Sequence, residues 1–252
     1  MTDSASMVPA SAEESVYYHN DESGSRILVQ LLQQELGETI LEVGAGAGFI
    51  TKELSGVGRH VVAIEPNQAL FDELARTSRQ HANVNVLNVT LAEFVRQHNG
   101  GPASTRRFDS IVYINVLEHI ERDVEELELA RAVLSPHGRV LIVVPAHQWL
   151  YSKVDRLSGH YRRYSKAGIA EQLMTAGLRP IRLQYFDAVG LLPYLIIYKW
   201  LRSTAVSGPN AVVYSRIILP VSKLLYRLSR GRLIGKNLIV VAEIDGKQHD
   251  RP

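Results

Sequence analysis

The sequence predicts an α/β fold: a doubly wound, mostly parallel sheet with helices on both faces. Three observations predict it. Across Thr39 to Thr51 (TILEVGAGAGFIT) a β-prone run meets a glycine-rich turn and then a helix start. Strand, crossover helix and strand then alternate four times before Ile120. The strands themselves, such as HVVAI and RVLIVV, read as continuous apolar runs, the pattern of strands covered on both faces. In such a sheet ligands sit outside the carboxyl ends of the strands.

Composition narrows the classes. With 252 residues, 46% of them hydrophobic, the chain can bury a sizeable core as one domain with an elaboration. The net charge of +2 is nearly balanced and Lys and Arg are scattered, so no nucleic-acid partner is expected. Zero cysteines exclude a disulfide framework, a thiolate metal site and a thiol nucleophile, and fit a cytoplasmic protein. Met1 to Ser15 lacks the basic start and apolar core of a secretory signal and reads as a disordered tail. The longest apolar run, Ala188 to Tyr198, is too short to span a bilayer and contains Pro193, so no transmembrane segment is expected.

Taken in order, Tyr17-Tyr18-His19 precedes a helix whose apolar face is Ile27, Leu28, Leu31 and Leu32. Tyr18 could close over a ligand or simply pack locally. Gly44, Gly46 and Gly48 let the backbone turn sharply and lie against a ligand, while the following helix offers N–H groups. His60 to Glu65 is a second strand ending on an acid. Glu65 suits ribose hydroxyls, or caps the helix that Pro66 begins. A helix over Asn67 to Gln80 and a third strand over Val84 to Val89 follow, then a polar connector from His98 to Arg107. The fourth strand starts at Phe108 and runs into Asn115 and His119 at its carboxyl end. Glu121 to Leu134 reads as a helix, Ser135 to Gly138 as a turn and Arg139 to Pro145 as the fifth strand. After DRLSGHYRRYS (Asp155 to Ser165) come a helix, Lys166 to Ala176, a sixth strand, Ile181 to Val189, and a seventh, Asn237 to Ile244. Residues 190–236, rich in Leu, Ile, Val and Tyr with interspersed Arg and Lys, form two or three amphipathic helices.

The glycine loop is not a dinucleotide fingerprint: the residue three after Gly46 is Phe49, and the third glycine arrives one position early. With Glu42 two residues before Gly44, the pattern E-x-G-x-G-x-G resembles the first motif of the class I S-adenosylmethionine-dependent methyltransferases. FDxIxxxNVLEHI, from Phe108 to Ile120, resembles their fourth, and together the likeness covers Ile27 to Pro145. The proline-ended fifth strand with GHxRRYS is similar to a bacterial subgroup acting on small molecules or in glycosyl-transfer pathways. The resemblance implies a seven-stranded Rossmann-like sheet whose last strand inserts antiparallel between the fifth and sixth. It implies a domain made of 16–189 and 237–245, with 190–236 as a helical cap on the substrate side or at a dimer contact. The implied cofactor is S-adenosyl-L-methionine. Glu42, Gly44, Gly46 and Gly48 would hold its methionine half, Glu65 the ribose and Asn115 the sulfonium end. The family often has an acid after the third strand where this chain has Asn88-Val89-Thr90-Leu91, which leaves Thr90 or the Leu91 backbone for adenine.

Methyl transfer from a sulfonium is an in-line displacement in which positioning does most of the work. An acceptor that must lose a proton benefits from a base; histidine's unperturbed pKa lies near neutrality, and His119 stands at a strand end. It either serves as that base or orients its turn. His147, His160 and Tyr161 are further substrate-side candidates, and Arg162 and Arg163 either pair with an anionic substrate or form internal ion pairs. No run of His and carboxylates shows metal-ligand spacing, so no metal is expected. The apolar insertion points to a small aromatic or apolar acceptor, and the resemblance to bacterial specialised metabolism. Two rivals stand beside this reading: methylation of a lipid or polyprenyl-linked acceptor, with Tyr214 to Arg232 lying on a membrane, and S-adenosylmethionine binding without transfer.

Overall fold

The computed structural model describes residues 22–99, 107–200 and 213–246. The expected tail, Met1 to Ser15, lies outside them. The strands are β1 (Thr39–Val43), β2 (His60–Ile64), β3 (Val84–Leu87), β4 (Phe108–Ile114), β5 (Leu134–Pro145), β6 (Leu178–Phe186) and β7 (Asn237–Ile244). They form one sheet in the order β3-β2-β1-β4-β5-β7-β6. Pairing is parallel from β3 through β5, and β7 runs antiparallel between β5 and β6. This is the seven-stranded arrangement that the resemblance implied.

Alternation along the strands builds two core layers. Leu41, Ile111, Tyr113, Val140 and Ile142 pack under α4 (Leu91–Asn99), α5 (Asp123–Val133) and α7 (Lys166–Thr175), through Phe94, Leu127 and Leu173. Their neighbours Ile40, Val112, Ile114, Leu141 and Val143 face the other way. There they meet Ile27 and Leu32 of α1 (Glu22–Leu32), Ile50 and Leu54 of α2 (Phe49–Ser55), and Leu219 at the start of α9 (Leu219–Ser229). The period of two sends successive side chains to opposite faces, so one apolar run serves both layers.

Several boundaries differ from the sequence reading for identifiable reasons. The Ser135 to Gly138 turn is a bulge within β5: Phe108 pairs with Leu134 and Ser110 with Arg139, so one β4 residue opposes four. The start of the expected connector at His98 belongs to α4, whose first turn is capped by Thr90, with Thr90 and Glu93 bonded reciprocally. β6 starts and ends three residues early. Gly177, at φ +75°, closes α7, and Asp187, at φ +65°, ends the strand and caps α8 (Ala188–Tyr194) by accepting from the Gly190 N–H at 3.0 Å.

The described part of the insertion forms two arms. α8 continues as π-helical turns over Leu195–Trp200, and Tyr214–Ile218 leads into α9. Buried Asp187 ties them together, accepting from Ser222 at 2.6 Å and from Tyr214, with Lys236 3.4 Å away.

Candidate active site

Three non-glycine residues in the left-handed region stand just beyond the carboxyl ends of strands that run in the same direction: Asn115 (φ +53°) after β4, His147 (φ +65°) after β5 and Asp187 after β6. Gly44 (φ +69°) follows β1 and Glu65 follows β2 at the same edge. Backbone strain concentrated along one sheet edge marks it as the functional one.

Each glycine of the loop has a separate job. A Cβ on Gly44 would lie 2.7 Å from Val116, and one on Gly48 (φ +92°) would lie 2.9 Å from both Leu74 and Thr77. Gly46 (φ +57°) would meet nothing within 4 Å; its bare side faces open space. The loop amides turn inward: Gly44 and Ala45 donate to the Ile64 carbonyl, and Gly46 donates to Glu65 at 2.8 Å. Glu65, largely buried, takes the Asn67 N–H on its other oxygen at 2.9 Å. Burial pushes its carboxyl up from the ordinary value, opposed by the Asn67 and Gly46 amides. Glu42 lies beneath the loop and accepts from the Thr51 hydroxyl at 2.6 Å; burial raises it to about 8 against that hydrogen bond. The Thr90 hydroxyl is engaged with Glu93, and the Leu91 side chain is buried, so a contact from Leu91 would come from its backbone, as the sequence reading has it. Tyr18 lies outside the described residues.

The second half of the site is built by GHYRRYS folding back on the turn after β4. Tyr161 donates its amide to the Glu118 carbonyl at 2.8 Å, and the single hydroxyl proton of Tyr164 is within reach of two acceptors, the Leu117 carbonyl at 3.0 Å and Asp123 at 2.9 Å. Both arginines make internal pairs: Arg162 with Asp123 at 2.8 Å, and buried Arg163 with Asp155 at 2.7 Å. The internal-pair alternative therefore describes a contact that both make, with Arg163 buried and Arg162 28% exposed. His147 binds the Gly235 carbonyl at 3.1 Å and packs on Tyr185, fastening β5 to the approach of β7. Burial holds its pKa below the usual value, against that carbonyl's opposing effect.

Asp155 is the hub of this half. One carboxylate oxygen accepts from Arg163 and, at 3.1 Å, from Nδ1 of His160; the other accepts from the Ser152 amide and hydroxyl and from Tyr194 of α8. Burial would raise its pKa, but the hydrogen bond from His160 and the charge and hydrogen bond of Arg163 hold it well below the carboxylate range. His160, so oriented, meets the His119 ring edge to face at 4.6 Å. Beside them lies Glu118, 1% exposed, with neither carboxylate oxygen hydrogen-bonded. Burial raises Glu118 to about 7, against the charges of His160 and Arg163. One ligand atom from each of Glu118, His119 and His160 lies within 4.8 Å of the others. That group can take up a proton near neutral pH or reach a single divalent cation. Sequence spacing could not show it, because His160 is brought back by the fold of Asp155 to Tyr164. The missed residues are Glu118, Asp155 and Tyr194; a Glu-His pair at a strand end was the one available signal.

Residues 18–183 match the model of a family described as a methyltransferase domain. The chain belongs to that family. Membership bears out the resemblance to the class I S-adenosylmethionine-dependent methyltransferases. Among curated relatives, a ubiquinone biosynthesis O-methyltransferase of Glaesserella parasuis is 28% identical over 111 residues, 42% of this chain and 44% of the relative. A protein of the same name from Xanthomonas oryzae is 23% identical, over 62% of this chain and 66% of its own length. The chain thus spans under half of the first of these methyltransferases. Solved methyltransferases share the fold at low identity. A S-adenosylmethionine-dependent methyltransferase of Archaeoglobus fulgidus superposes with a TM-score of 0.58 at 14% identity, covering 90% of this chain and 96% of its own. The 1,6-didemethyltoxoflavin N1-methyltransferase of Burkholderia thailandensis, solved with its substrate and S-adenosylhomocysteine, gives 0.56 at 18%, covering 96% and 93%.

Proposed function

We propose that this methyltransferase carries a methyl group from S-adenosylmethionine to a small acceptor with an aromatic or apolar body, at the carboxyl edge between β1 and β5. The observation that carries the reading is the Gly46 cradle, bare toward open space and locked from behind by buried Glu65. A glycine that no neighbour requires to be small, yet that sits at positive φ, is what a ligand lying against the backbone needs. Glu65 has acceptor capacity left on both oxygens for ribose hydroxyls. Glu42, Gly44 and Gly48 shape the loop for the methionine half, Asn115 borders the sulfonium end, and the Thr90–Leu91 turn flanks the adenine. When bound, S-adenosylmethionine supplies a methyl group on a positively charged sulfur.

The chain's own residues then act on the acceptor. Packing of the acceptor's body within the site orients the nucleophile. His119 takes the proton that a hydroxyl acceptor gives up, and Glu118, near neutral in pKa, stands beside it to share that proton. Asp155 keeps His160 in its orientation against His119. The names of the relatives support an oxygen acceptor, and an aromatic acceptor fits both quinone-type and specialised metabolism.

Calorimetric titration with S-adenosylmethionine tests the reading, run beside Glu65→Ala and with NADH as a control. Saturable binding that weakens at least tenfold in the variant, followed by label transfer to a panel of phenols, is the expected outcome. A folded wild type that binds no S-adenosylmethionine defeats the proposal.

A further inference from the structure

The insertion arm that ends in α9 sends Leu219 into the core, yet buries serines beside it and leaves much of its apolar surface outside. Its buried residues include Ser215 and Ser222, the latter 1% exposed with its hydroxyl on Asp187. Its apolar residues Ile217, Val221, Leu224 and Leu228, at i, i+4, i+7 and i+11, form a stripe that faces outward, with Leu228 73% exposed. The neighbouring arm repeats the pattern: Leu192, Ile196 and Trp200 are exposed at intervals of four, Trp200 at 82%. Leu233 and Ile234, in the loop leading to β7, add to the same exposed apolar set. Exposed apolar surface on this scale marks an interaction face.

Charge decides what covers it. Between Asp187 and Glu243 the sequence holds eight Lys and Arg and no Asp or Glu, so the rest of the chain is net negative. Arg216, Arg227, Arg230 and Arg232 are exposed, and among the described residues none has a carboxylate partner. A second copy docking face to face would set arginine against arginine, which an isologous dimer cannot relieve. An anionic bilayer satisfies both halves of the pattern at once, taking the apolar stripe into the acyl boundary and the guanidinium groups among phosphates. No helix among the described residues is long and apolar enough to cross a membrane, so the association is with the surface.

From this we infer that the exposed face formed by residues 188–200 and 213–234 docks on the surface of an anionic phospholipid bilayer. α8 carries both Leu192 of that face and Tyr194, which bonds Asp155 at 2.8 Å, so docking places the bilayer against the scaffold of the histidine cluster. An amphiphilic acceptor could then enter from the lipid, a corollary that rests on the methyl transfer proposed above; the docking does not.

Co-sedimentation with vesicles of equimolar phosphatidylglycerol and phosphatidylethanolamine, against pure phosphatidylcholine, tests the inference without S-adenosylmethionine. Wild type should partition at least tenfold better onto the anionic vesicles, and less as salt is raised. Leu224→Asp/Leu228→Asp should abolish partitioning, and Arg227→Glu/Arg230→Glu should cost more than tenfold, since each basic residue near such a surface contributes about fivefold. These positions are solvent-exposed, and circular dichroism checks that the variants stay folded. Absence of binding to anionic vesicles overturns the inference, as does equal binding to both compositions that the arginine changes leave unmoved. A concentration-dependent dimer that the leucine changes dissolve, without vesicle binding, also overturns it and assigns the face to a second copy.

Discussion

Replacing Asp155 with Ala removes a carboxylate that is 1% exposed and leaves its partner, the Arg163 guanidinium, charged and 5% exposed. Five donors lose their acceptor at once: the Ser152 amide and hydroxyl, Tyr194, His160 and Arg163. Breaking a buried pair from one side costs about 3–5 kcal/mol, because the remaining charge has lost its counter-ion and gains no water in return. For a chain of this size that corresponds to a fall in Tm of roughly 6–20 °C. Urea unfolding followed by far-ultraviolet circular dichroism measures it. The pH dependence has a definite sign. Asp155 is held below its unfolded pKa, so its contribution is complete above about pH 4 and disappears as pH falls through the folded value. The gap between wild type and Asp155→Ala should therefore be full at pH 7 and narrow in acid. Adding Arg163→Met should recover half or more of the loss, since the uncompensated charge is then gone. A single variant within about 1 kcal/mol of wild type at pH 7 would refute the reasoning.

Three further outcomes follow from the same geometry. Gly44→Ala should destabilise the protein by about 1–3 kcal/mol, since its Cβ meets Val116 at 2.7 Å at a positive φ; Gly46→Ala, with open space before it, should cost only about 1 kcal/mol yet weaken S-adenosylmethionine binding at least tenfold, and equal effects in melting and calorimetry would contradict the distinction. Glu42, whose folded pKa of about 8 exceeds the unfolded value, makes stability fall as pH rises between those values; Glu42→Gln should gain on wild type by on the order of 3 kcal/mol between pH 5 and pH 8 in denaturant titrations, and a constant difference would show that the group is not buried as described. His119→Ala should lower turnover by about 100-fold while leaving cofactor affinity within twofold, and unchanged turnover in a label-transfer assay rules out its role as base.

The antiparallel last strand was implied by the family resemblance, whereas the strands, the glycine loop and the strand-end acids were legible in the residues themselves. Each depends on local pattern: periodicity, a turn that only glycine tolerates, and a motif whose residues are neighbours in the chain. The boundaries that shifted were places where a capping residue overruled periodicity, such as Asp187 ending β6 and Thr90 opening α4. Sequence also showed that Arg162 and Arg163 had to choose between substrate and internal carboxylate, but only the fold made the choice, by bringing Asp123 and Asp155 to them.

What the sequence by itself determined, then, is the sheet and the half of the site made from residues close together along the chain, because strand alternation and loop sterics act over short separations. What only the tertiary structure decided is the other half. His160 returns to His119, Tyr194 reaches Asp155 across 39 residues, and α9 buries Leu219 and Ser222 while turning Leu224 and Leu228 out. Those outcomes depend on which buried carboxylate each donor can reach after collapse, and Asp187 and Asp155 settle it by leaving a large penalty for any arrangement that abandons them.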